Sequence, residues 1–97
     1  MSEYAGNLKP KYIYGAGLIL FGTDRQPSGT CSYFKRYFRF DATTPAGKNL
    51  LTILLMAKAS DRSVDVWYNK SSAEGKNETN GATKNNVSVL VQIGVTN

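Results

Sequence analysis

The chain has 97 residues, enough for one domain and one core, with 41% hydrophobic and 20% charged residues, the composition of an ordinary globular protein. Twelve basic against seven acidic residues give a net charge of +5 and a pI near 9.5, which favours anionic partners or simply keeps the chain soluble. There is no histidine and a single cysteine, Cys31. This excludes a histidine general base, a serine or cysteine nucleophile activated by His, most zinc sites and an intrachain disulfide. No pairing among the carboxylates, lysines and tyrosines suggests catalysis, so the expectation is a protein that is not an enzyme, with no catalytic residue, metal or cofactor.

Residues 1–11 are polar, contain Gly6 and Pro10, and read as an N-terminal arm or loose first strand of a single domain spanning 1–97. Tyr12 to Phe21 (YIYGAGLILF) is apolar, aromatic and β-branched on both alternating faces, which predicts one strand buried on both sides. Gly15-Ala16-Gly17 lacks the spacing of a dinucleotide fingerprint; glycine there suits a bulge or close packing. Gly22 to Thr30 (GTDRQPSGT) reads as a loop.

Cys31 to Asp41 (CSYFKRYFRFD) reads as a strand with two distinct faces. Phe34, Arg36, Phe38 and Phe40 share the face expected to pack on the core. Tyr33, Lys35, Tyr37 and Arg39 share the other. Interleaved aromatic and basic side chains suit stacking on a sugar ring or base beside an anionic group. The plain alternative is an exposed strand with solvated charges and flat-lying tyrosines.

Thr43 to Ser60 (TTPAGKNLLTILLMAKAS) is the one segment that reads as a long helix, about residues 44–60. Thr43 or Thr44 is the N-cap, Pro45 the first helical residue, and Lys58 sits in the last turn, where the helix dipole favours a cation. Leu50, Leu51, Ile53, Leu54, Leu55 and Ala57 cover roughly 200° of the helix, against about 100° for a single buried stripe. Either strands wrap the helix on two sides or a partner subunit covers the second, with Leu51, Leu55 and Lys58 in that interface.

Ser63 to Asn69 (SVDVWYN) reads as a strand with Val64, Val66 and Tyr68 on one face and Asp65, Trp67 and Asn69 on the other. Trp67 on a polar face is a ring-stacking platform or an anchor, or else a cover for the core edge. Residues 70–86 form a long polar loop, longer than the usual limit of about 12–15 residues, either mobile and functional or a hairpin crossing that turns at Asn80-Gly81. Asn69, Asn77 and Asn86 each open an Asn-x-Ser/Thr triplet, as this composition readily produces. Val87 to Val95 closes the chain as a strand in which the odd-numbered positions, Val87 to Val95, alternate with Ser88, Leu90, Gln92 and Gly94.

The order predicts an α+β, mostly β protein: a small antiparallel sheet, or a barrel of the oligonucleotide/oligosaccharide-binding (OB) type, packed on one central helix. The barrel requires the N-terminal arm or the long loop to supply a strand.

Ser28-Gly29-Thr30-Cys31 with the strand after it, the helix opened by Thr43-Thr44-Pro45-Ala46-Gly47-Lys48, and Val64-Asp65-Val66-Trp67-Tyr68 resemble the binding (B) subunits of AB5 toxins, nearest to the subtilase-cytotoxin and pertussis-like group. The resemblance implies an OB barrel, a secreted homopentamer whose helices line a pore, a toxin A subunit as partner, and a lectin-like outer face that binds cell-surface glycan. It also implies a disulfide, for which Cys31 has no second cysteine. The chain opens at Met1 without a signal peptide, as a cytoplasmic protein would, or a mature secreted chain with a new initiator Met.

No binding residue carries over by motif. The candidate ligand residues come from the strand faces alone: Ser32, Tyr33, Lys35, Tyr37, Arg39 and Trp67. Three functions compete. A glycan-binding homo-oligomer accounts for both the helix and the resemblance. A single-stranded nucleic-acid binder would use the same face, with Lys35, Arg36 and Arg39 on phosphates. The third is an interaction protein with no small ligand.

Overall fold

A computed structural model describes residues 2–27, 30, 37–77 and 79–96. Six strands and one helix follow in the order β1 (Glu3–Leu8), β2 (Pro10–Gly15), β3 (Leu18–Thr23), β4 (Tyr37–Asp41), α1 (Pro45–Ala59), β5 (Val64–Asn69) and β6 (Ser88–Val95). They form one sheet in the order β1-β5-β6-β4-β3-β2. The protein is α+β and mostly β, as the pattern of apolar residues predicts.

The two ends of this sheet are neighbours in sequence. β1 and β2 are separated only by Lys9, yet β1 pairs with β5 and β2 with β3. They act as one bent strand whose halves join opposite edges, so the sheet curls on itself as an OB-type barrel does. Residues 3–8, read from sequence as an arm or loose strand, are therefore the element that brings the edges together. Asn7 sits at the bend with φ 57, next to a shift in register between Ala5 and Leu8. Arg25 holds the bend by donating from Nη2 to the Gly6 and Asn7 carbonyls, the latter at 2.7 Å. Lys9 adds an ion pair with Asp61 at 3.2 Å.

The sheet is mixed rather than wholly antiparallel. β4 and β6 run parallel, Phe38 beside Ser88 and Arg39 beside Val89. Between them the chain reverses twice, through α1 into β5 and again into β6, so β6 returns in the direction of β4. Tyr12–Phe21, read as one strand, is a hairpin that turns at Ala16-Gly17. Gly15 has φ +130, and a Cβ there would lie 2.0 Å from the Leu18 carbonyl, so the glycine permits the turn. Gly22 and Thr23, read as loop, complete β3.

The core combines Phe21, Phe38, Phe40, Tyr68, Val64, Val66, Leu90 and Ile93 with Leu54 and Ala57 from the helix. The Phe21 and Phe38 rings stack at 5.2 Å, and Tyr68 meets Phe38 edge-on at 5.1 Å. α1 begins where its capping residues predict: Thr44 Oγ1 accepts from Gly47 N at 2.9 Å, and Pro45 opens the helix.

β6 departs from simple alternation. Trp67 pairs with Gln92 but Tyr68 with Leu90, so Val91 is an extra residue in a bulge. Ser88, Leu90 and Ile93 are buried, while Val91 is 49% exposed. A one-residue insertion exchanges the two faces of a strand, which is why the run of valines does not mark the core face.

Residues 70–87 are not a bare loop. Ala73, Ala82 and Val87 close over Leu20 as a second small core. Ser71 Oγ donates to the Asn86 carbonyl and accepts from Ala73 N, and Asn86 Nδ2 donates to the Gly81 carbonyl. Among the described residues, no helix is long and apolar enough to cross a membrane.

Candidate functional site

The candidates read from the sequence fall into separate places. Ser32, Tyr33 and Lys35 lie outside the described residues, with Cys31, Phe34 and Arg36. Tyr37 opens β4, paired with Gly22, and its side chain is likewise outside the described residues. Arg39 is half-buried rather than open, and its Nε donates to the Val87 carbonyl at 3.0 Å. Its cross-strand partner Leu20 is covered by the 70–87 segment. The outer side of β3 and β4 therefore carries protein at this point.

Trp67 stands elsewhere. Arg39 pairs with Val89 and Trp67 with Gln92, so β6 runs between them and no contact joins the two. The residues around Trp67 form a surface of their own. β1 places Tyr4 directly beside it, with ring centroids 5.1 Å apart and planes tilted by 54°. Tyr4 is 56% exposed and Trp67 half-buried. Two residues along β5, Asp65 lies on the same side of the strand as Trp67.

The polar groups are held by short-range geometry. The Tyr4 hydroxyl bonds the Asp65 carboxylate. Asp65 Oδ1 also accepts from Asn7 N at 3.2 Å. The Tyr4 phenol is shifted upward, first by desolvation and then by the bond to and charge of Asp65. Gly6 makes room for this: a Cβ there would lie 2.6 Å from Tyr4 Oη and 2.9 Å from Asp65 Oδ1. On the far side of Asp65 stands Gly94, where a Cβ would meet nothing within 4 Å. Gln92, paired with Trp67, is exposed.

The arrangement is two aromatic rings, a carboxylate and an amide on paired strands, with open space beside a glycine. Rings offer a face to C–H groups, and the carboxylate and amide offer acceptors and donors to hydroxyls. Asp65 opposes any phosphate placed there. Among the described residues, no group of three or more His, Cys, Asp or Glu comes together to hold a metal.

Sequence reasoning identified Trp67 and placed Asp65 on its face, but missed Tyr4 and Gln92. For Tyr4 the signal is the Glu3-Tyr4-Ala5-Gly6 alternation, weakened by a glycine and by a polar flank. Gln92 alternates with Ile93 in the sequence, but its place beside Trp67 is visible only once the pairing of β5 with β6 is known.

On α1, Leu51 is half-buried, Leu55 is 48% exposed and Lys58 is exposed. Strands cover the Leu54–Ala57 side, and Leu55 and Met56, the latter 55% exposed, lie uncovered in the single chain. Comparison with protein-family models, curated proteins and solved structures found no match.

Proposed function

We propose that this protein is a non-enzymatic glycan-binding module, with Tyr4 and Trp67 as the stacking platform and Asp65 and Gln92 as the hydroxyl-reading groups. The observation that carries it is the Tyr4–Trp67 pair, an exposed ring against a half-buried one, 5.1 Å apart beside a carboxylate. A carboxylate at the platform suits an oligosaccharide's hydroxyls and disfavours a phosphate backbone. That choice separates the reading from the single-stranded nucleic-acid alternative, which needs cations where this face has Asp65. Arg39 belongs to a different surface, where it is engaged by Val87.

The reading includes assembly of several copies, a ring of five by the resemblance to toxin B subunits. It is supported by the uncovered Leu55 and Met56 on a helix whose other side is in the core. A toxin A subunit and secretion follow from that resemblance alone.

The test is a glycan-array screen of the parent and of Trp67→Ala and Tyr4→Ala, followed by titration of the best neutral oligosaccharide at low and high salt. Each substitution is expected to weaken binding by about tenfold or more, with little response to salt. Parent-like binding by both variants removes the platform. Binding of single-stranded DNA that collapses with added salt replaces the glycan by nucleic acid. Native mass spectrometry gives the copy number independently.

A further inference from the structure

The segment that covers the outer side of the sheet turns at Asn80-Gly81. Of the eight asparagines in the chain, Asn80 alone is followed by glycine. Both residues of the pair are exposed, and Gly81 has φ +129, a conformation that glycine adopts without strain. Asn77 organises the turn. Its carbonyl accepts from Asn80 N at 3.1 Å and from Ala82 N at 2.8 Å, and its own N–H donates to Asn80 Oδ1. Asn86 Nδ2 donates to the Gly81 carbonyl at 2.9 Å. The amide between these fixed groups is different: among the described residues, Gly81 N donates to no acceptor, and neither does Asn80 Nδ2.

We infer that Asn80 is a site of spontaneous modification, cyclising onto Gly81 N and opening to aspartate or isoaspartate, and that the isoaspartate form loosens the 70–87 cover. Gly81 N gives its proton to solvent base and attacks Asn80 Cγ, and the new C–N bond closes a five-membered ring. No side chain at residue 81 hinders the approach. The oxygen that takes the negative charge is Asn80 Oδ1, to which Asn77 N already donates. The Cγ–Nδ2 bond then breaks, and the nitrogen takes a proton from water and leaves as ammonia. Water opens the ring. Attack at Cγ restores the ordinary main chain and leaves aspartate; attack at the main-chain carbonyl carbon leaves isoaspartate, with the chain running through Cβ and Cγ. The net reaction exchanges ammonia for water and removes one unit from the net charge of +5. In isoaspartate the side-chain carbonyl that Asn77 N uses has become main chain, and one extra backbone carbon separates Asn77 from Ala82. Ala82 is 2% exposed, packed with Leu20, Ala73 and Val87. Its seat in that small core is what the longer chain disturbs.

The experiment ages the whole chain near neutral pH and physiological temperature beside the free peptide of residues 76–84, which has the sequence without the fold, and maps both by mass spectrometry. Residue 80 is expected to gain about 1 Da at least about tenfold faster than any other asparagine of the chain, and at a rate within about threefold of the peptide. A folded chain that stays intact at residue 80 while the peptide converts overturns the site, because the bond from Asn77 N then holds the side chain away from Gly81 N. Hydrogen exchange on the separated isoaspartate form should be at least about threefold faster at Ala82 and Val87, with Phe38 and Val66 unchanged. Exchange equal to the parent's overturns the loosening. Asn80→Asp carries the new charge on an ordinary main chain and should exchange as the parent does. If it exchanges as fast as the isoaspartate form, the rerouted main chain is not the cause.

Discussion

Arg39 donates from Nε to the main-chain carbonyl of Val87 at 3.0 Å, tying β4 to the end of the 70–87 segment just before β6 begins. Next to it Leu20 is sealed by Ala73, Ala82 and Val87. One charged hydrogen bond and one small apolar cluster thus convert a polar stretch of chain into a cover for the outer side of the sheet.

Arg39→Met keeps the aliphatic stem and removes the donor. The Val87 carbonyl then loses its charge-assisted partner, at a cost of about 1–2 kcal/mol. Hydrogen exchange at residues 82–88 should accelerate while exchange at Phe38 and Val66 in the main core changes little. Uniform acceleration across the chain would mean that the segment is part of the global unfolding unit rather than a separately opening cover.

Gly47 is in the first turn of α1, where alanine ordinarily favours a helix by up to about 1 kcal/mol. Here a Cβ would lie 1.7 Å from the Asp41 carbonyl oxygen, which is backbone and cannot swing aside. Gly47→Ala is therefore expected to lower stability by about 1–3 kcal/mol in chemical unfolding, against the helix preference. A variant as stable as the parent would show that the β4–α1 connection moves freely.

Tyr68 is buried, and burial, with the charges of Glu3 and Glu74 behind it, raises its phenol above the ordinary value of 10.0. The folded state thus holds the proton more tightly than the unfolded one. The stability this contributes is complete below pH 10 and is lost as pH rises toward the folded value. Urea unfolding between about pH 9 and 11 should show a steeper loss for the parent than for Tyr68→Phe. Parallel slopes would mean that Tyr68 ionises alike in both states.

Leu55→Lys puts a charge on the uncovered flank of α1, 48% exposed in the single chain. The single chain's unfolding free energy should change by less than about 0.5 kcal/mol, as for an exposed site. If copies pack on this flank as proposed, native mass spectrometry should show an assembly for the parent and separate chains for the variant. An assembly of parent copy number in the variant would move the interface away from this flank.

Much of this protein could be read without its tertiary structure. The Thr44–Pro45 start of the helix, the inward set Val64, Val66 and Tyr68, the buried Phe38 and Phe40 and the predominance of strands follow from local periodicity and capping, which are properties of neighbouring residues. Even Asp65 was placed correctly beside Trp67 by period-two counting. What the tertiary structure alone decided are the relations between distant segments. Tyr4 meets Trp67 because a bend at Asn7 and Lys9 sends the halves of one strand to opposite edges of the sheet, and nothing local in a polar, glycine-containing stretch announces that destination. Gln92 stands beside Trp67 because β6 pairs with β5 in this register, while the extra residue at Val91 turns Leu90 and Ser88 inward, and neither leaves a mark in a run of valines. Arg39 is engaged by Val87 because the 70–87 segment hides three small apolar side chains in a polar composition. Pairing across the sheet is settled by the total free energy of closing the barrel, and that sum is not contained in any one stretch of the chain.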